Sequence, residues 1–151
     1  DKYFEPINRL YLSQPFAERG NEGELDRCLH IAEAYALAEN AIVSMSDSIR
    51  NCSYCFFGGL ADLLGLSEKE RCTTIPSLYE EFIFTRANQD DLMLRHAHEL
   101  AYIHLTEKKT PDERRNYILS DNLRMRDKDG DWRSVRHRMF SLEGTETDVI
   151  G

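Results

Sequence analysis

The residues from Tyr117 to Leu142, YILSDNLRMRDKDGDWRSVRHRMFSL, limit what this chain can fold into more than any other stretch. Tyr117, Leu119, Leu123 and Met125 recur at the spacing that puts side chains on one side of a strand. Asp127-Lys128-Asp129-Gly130 then interrupts with turn formers. The alternation resumes with Val135, His137 and Met139 on one side and Arg136, Arg138 and Phe140 on the other. Matching the apolar sides pairs Leu123 with Val135, Leu119 with Met139 and Asp121 with His137, leaving a loop of about five residues. Two strands cannot bury such a side alone, so the hairpin demands more strands or covering helices.

The rest of the chain offers both. Asp1 to Gly20 has Phe4, Ile7, Leu10 and Tyr11 at helical spacing with Pro6 between them, which reads as a loosely attached arm. Gly23 to Glu39 reads as a helix, with Leu25, Cys28, Leu29, Ala32 and Ala36 along one side and Ala and Glu favouring it throughout. Asn40 ends it. Ala41 to Ser46 and the aromatic-rich Cys52 to Phe57 read as two strands joined by a turn, stopped by Gly58-Gly59. Leu60, Leu63 and Leu64 give a short helix, and Ser67 to Glu70 another helical start. Ile75 to Arg86 is ambiguous between strand and helix. Asn88 caps a long helix to about Lys108, with Asp90 and Asp91 in its first turn and Leu92, Met93, His96, Leu100 and Ile103 on its apolar side. Thr110-Pro111-Asp112-Glu113 is a capping box leading into the hairpin, and Thr145 to Gly151 begins a further strand. This order makes an α+β fold with an antiparallel sheet.

Composition excludes some functions. With 151 residues the chain suits one domain with its own core, and 41% hydrophobic against 30% charged residues is ordinary for a globular protein. A net charge of −8 argues against a broad nucleic-acid surface. No apolar run is long enough to span a membrane, and no basic-plus-apolar signal segment opens the chain. Four cysteines fit reduced thiols of a cytoplasmic protein.

Three stretches resemble a PAS domain, and in particular the N-terminal PAS-like sensor region of bacterial LuxR-type helix-turn-helix regulators. Asn40 to Leu66, NAIVSMSDSIRNCSYCFFGGLADLLGL, is similar to the first two strands and the next helix of that family. Asn88 to His98, with Gln-Asp-Asp-Leu, is similar to its "hPDDL" segment, with Asn88-Gln89 where His-Pro is usual. Tyr117 to Gly130 is similar to its "Y…RLRdkdG" hairpin, with His137-Arg138-Met139 on the second arm. The resemblance implies an antiparallel sheet with helices on one face and an N-terminal helical extension. It divides the chain into an arm and helix (1–39) and a sensor domain (40–151), with a DNA-binding output domain beyond Gly151. It implies a signal-transduction module, and the chain is read with it as cytoplasmic, homodimeric and not an enzyme. Such a module takes a small molecule or a partner and passes its state to the helix-turn-helix domain, without contacting DNA or membrane itself. A dimerisation module with a filled core and no ligand is the alternative.

The candidate ligand-binding residues are Asp121, His137, Tyr54, His96, Leu119 and Met139. Asp121 and His137 interrupt apolar sides and face each other in the register, so a carboxylate could orient an imidazole towards a polar ligand. A self-satisfied structural pair explains them as well. Cys52 and Cys55 have CxxC spacing, but on a strand they face opposite sides, and Cys28 and Cys72 form no second pair for a metal. His30, His96, His98, His104 and His137 raise the thought of haem, and packed or solvated histidines account for them too. No cofactor or metal is expected. No phosphate-binding glycine loop, GxSxG or HExxH occurs. Arg124, Arg126, Arg133, Arg136 and Arg138 are expected on the outer hairpin side, as a solvated face or as a docking surface for an output domain or subunit.

Overall fold

The computed structural model describes residues 22–47, 50–76, 84–142 and 145–151. The Asp1–Gly20 arm and most of the ambiguous Ile75–Arg86 segment lie outside these. The described residues form an α+β fold built on a six-stranded sheet. The strands are β1 (Ile42–Asp47), β2 (Cys52–Phe57), β3 (Thr74–Ile75), β4 (Ile118–Arg126), β5 (Trp132–Leu142) and β6 (Thr145–Ile150). They lie in the order β3-β2-β1-β6-β5-β4, with every neighbouring pair antiparallel. The last strand therefore slots between the first strand and the hairpin and closes the sheet into one unit.

The hairpin has the register its alternation demanded: Leu123 faces Val135, Leu119 faces Met139 and Asp121 faces His137. Its loop is fixed by Asp127. One carboxylate oxygen accepts from the backbone N–H groups of Asp129 (2.9 Å) and Asp131 (3.0 Å), and the other accepts from Arg133 Nε (2.7 Å). Those donors hold the Asp127 carboxyl below its ordinary range, Arg133 first. Gly130 takes φ +85°, a conformation that costs a side-chain-bearing residue. Arg133 thus serves the loop on the side of Met125 and Val135, not the outer side where the sequence reading grouped it.

Each strand alternates, so the sheet has two sides of different make-up. The inner side carries Ile42, Leu123, Met125, Val135 and Ile150 under α2 (Gly59–Leu63) and α3 (Gln89–Thr106). The outer side carries Val43, Val149 and Phe140 under α1 (Glu22–Glu39), whose Ala32 and Ala36 let it lie close to the strands. The N-terminal helix thus packs against the side opposite the mid-chain helices. Where α1 ends, Asn40 turns the chain at φ 52°. Gly58 sits against that turn so tightly that a Cβ would stand 2.2 Å from the Ala36 carbonyl oxygen.

Asn88 caps α3 by accepting from the N–H groups of Asp90 and Asp91. Asp91 then reaches β4, accepting from Arg124 backbone N (2.9 Å), Nε (2.9 Å) and Nη2 (2.8 Å). The capping box at Thr110 starts α4 (Pro111–Arg114), whose buried Arg114 donates to the Glu107 and Lys109 carbonyls after α3. Two expectations need correcting. Ser67 to Arg71 makes two overlapping hydrogen-bonded turns rather than a helix, and the Glu70 carboxylate folds back to accept from Ser67 N and pairs with Arg86. Met93 is 47% exposed, because the stripe α3 buries runs through Leu92, Arg95, His96, Glu99, Tyr102, Ile103 and Thr106.

Candidate functional site: a buried ionic seam under the long helix

The seam lies where α3 crosses the inner side of β4 and β5. His137 is 0% exposed in the middle of that side, level with Ile150 on β6 and Ile42 on β1. From α3, the buried Arg95 presents a two-nitrogen fork to the ring. Its Nε donates to His137 Nδ1 at 3.1 Å, and Nη2 stands 3.1 Å from Nε2. Nη1 pairs with the buried Glu99 carboxylate one turn along the helix. Phe84 closes one side, its ring edge-on to His137 with centroids 6.0 Å apart, and the Arg95 guanidinium lies 5.3 Å from its centre.

A charge in an apolar interior is tolerated only when paired and hydrogen-bonded, and Arg95 meets that condition through Glu99 and His137. A neutral imidazole has one acceptor nitrogen, so the fork satisfies one ring nitrogen fully and crowds the other. The contact therefore needs a lone pair on the ring. His96, one residue along, is also buried, and its pKa is lowered, by burial first and then by the Arg95 charge.

Asp121 and His137 are cross-strand neighbours, and each takes a partner from α3. The Asp121 carboxylate meets His98 Nδ1 at 2.5 Å at the exposed edge of the seam, while His137 meets Arg95. The second Asp121 oxygen is buried with no hydrogen-bond partner among the described residues. Leu119 and Met139 pack with Tyr102 and Ile103 in the next row of the same side. Five of the six candidates thus gather under α3. Tyr54 does not: it pairs with Met45 on the outer side of β2, next to Cys52, where burial raises its pKa.

Arg95 and Glu99 carry the seam, and the sequence reading passed over them. Their signal was present. They are an opposite-charge pair four residues apart, and both fall on the stripe that already held Leu92, His96 and Ile103. All four cysteines are free, and Cys55 donates to Ser44 Oγ at 3.7 Å on the inner side. Among the described residues no group of His, Cys, Asp or Glu is arranged to hold a metal ion, and no helix is long and apolar enough to cross a membrane. No protein-family model and no curated protein matches the chain.

Proposed function

We propose that the chain is a PAS-like sensory module of a cytoplasmic transcriptional regulator, related in kind to the LuxR-type proteins its motifs resemble. Its ligand would enter the seam between α3 and the sheet. The observation that carries this reading is the Arg95–His137–Glu99 seam. A helix held on a sheet by polar contacts has a second arrangement available, because a polar small molecule can replace one partner of Arg95 without leaving a charge bare. The displaced helix would then move β4 through Asp91 and Arg124, and the change would pass along the hairpin to an output domain. The antiparallel sheet with mid-chain helices on one side is the architecture that resemblance calls for.

The second reading, a dimerisation module with a filled core, is favoured by one fact: all three Arg95 nitrogens have protein partners. Native mass spectrometry of protein purified from its host separates the two. A bound small molecule on the wild type that is lost in Arg95→Met supports the sensor. A bare chain in both overturns it.

A further inference from the structure

β4 ends the sheet, and only one end of its free edge is covered. There the chain adds its own backbone to the ladder. Ala87 bridges Met125, Asn88 N–H donates to the Arg124 carbonyl at 2.8 Å, and Arg126 N–H donates to the Arg86 carbonyl at 3.0 Å. The Asp91 carboxylate takes the Arg124 N–H at 2.9 Å, standing where the next carbonyl of a paired strand would lie. Past Asn88 the chain turns away into α3. Residues of a strand send their N–H and C=O groups to alternate edges, so those of Ile118, Ser120 and Asn122 point the same way as those of Arg124 and Arg126. Among the described residues none of the three makes a hydrogen bond there.

Folded proteins guard such an edge with proline, outward charge or a bulge. From Ile118 to Asn122 this edge has none of these. The register with β5 is unbroken, and the one charged residue, Asp121, turns inward to His98. The open stretch is also walled. The flank of α3 that sends Asp91 and His98 to β4 carries Leu94 and Leu105 at helical spacing, 57% and 54% exposed. Ile118, 63% exposed, stands on the other side of the same edge. Further in on that outer side is Arg136, cross-strand from Asn122, whose side chain makes no hydrogen bond or ion pair among the described residues.

We propose that the open edge of β4 is the docking site for an extended segment of a partner protein. The segment pairs with Ile118 to Asn122 as an added strand. Its inner side chains are apolar and meet Leu94 and Leu105, and an outer carboxylate reaches Arg136. The open ladder groups specify an extended backbone, the leucines and Ile118 supply apolar area, and the arginine selects charge. A second copy of the chain fits less well. The outer side of its β4 offers Arg136 no carboxylate, and its α3 would come over the edge where Leu94 and Leu105 already stand. The site uses neither Arg95, His137 nor Glu99, so it stands or falls apart from the ligand seam.

Selection of phage-displayed random peptides on the full chain, followed by synthesis of an enriched sequence, supplies the probe. The expected peptide alternates apolar with acidic residues. Its binding should slow exchange of the Ile118, Ser120 and Asn122 amides by about tenfold or more and leave α1 unchanged. Ser120→Pro should weaken binding by about tenfold or more, because it removes an outward N–H and leaves the bonds to β5, with circular dichroism confirming the fold. N-methylation of the peptide amides that face β4 should do the same without altering the protein. Arg136→Glu should weaken the peptide by a smaller factor. A selection that enriches no sequence overturns the proposal. So does a peptide that binds Ser120→Pro unchanged, survives N-methylation, or protects amides elsewhere. Self-association of the chain that Ser120→Pro abolishes would give the edge to a second copy and overturns the proposal as well.

Discussion

The two sides of the sheet are buried by different means. On the outer side, Ala32 and Ala36 of α1 lie against Val43 and Val149, small side chains on branched ones, with Gly58 admitting the backbone. On the inner side, α3 buries Arg95, Glu99, His96 and Thr106 as well as Leu92 and Ile103. Apolar contact without polar groups has one good arrangement, and its strength follows the area buried. A buried ion pair adds little net stability, but removing either partner is expensive. The outer helix is held mainly by that apolar layer, with Tyr35 and Glu39 meeting Arg138 only at its partly exposed end, whereas the hold of the inner helix depends on the chemical state of a few buried groups.

That contrast predicts a ranking of effects. Arg95→Met should be the most damaging single change in the seam, costing about 3–5 kcal/mol in urea unfolding by taking the arginine away from the buried Glu99 carboxylate. Arg95→Met combined with Glu99→Leu should recover most of that loss, whereas a purely steric role for Arg95 would leave the pair as damaged as the single variant. On the outer side Gly58→Ala comes next, at about 1–3 kcal/mol, because its Cβ would strike the Ala36 and Ala41 carbonyl oxygens and backbone must shift.

Asp91 is third. Arg124 holds its pKa down from the usual 3.8 to about 2. A carboxylate with a lowered pKa stabilises the fold above its unfolded value and loses that contribution as pH falls. The loss through this group should therefore run from about pH 4 down to about pH 2, and Asp91→Asn should remove it, at about 1 kcal/mol given the exposed arginine. Asp121→Ala is the smallest. It forfeits an edge contact with the half-exposed His98 and frees a buried oxygen from its unpaired state, so melting should shift little. A ligand-induced thermal shift that survives this change would make Asp121 structural.

The hairpin was legible because its alternation is long, and Asp121 and His137 marked a single register by interrupting both apolar sides together. Asn88 and Thr110 were legible because caps are local chemistry. Arg95 and Glu99 were missed because charged helix residues are usually solvated, and nothing short of the packed fold shows that this pair lies under a sheet. Tyr54 was named with residues it does not lie beside for a related reason. Alternation tells which residues share a side of one strand, but only the β1–β6 and β5–β6 registers tell which sides of distant strands agree.

Hydrogen exchange of α1 and α3 at about pH 7 and about pH 5, corrected for intrinsic rates, tests the contrast most directly. Burial, and then the Arg95 charge, lower the His96 pKa, so stability falls as pH drops below the ordinary histidine value of 6.5. The expected result is that α3 loses protection in acid while α1 keeps its own. Equal loss in both helices, or none in α3, would contradict a separately responsive inner layer.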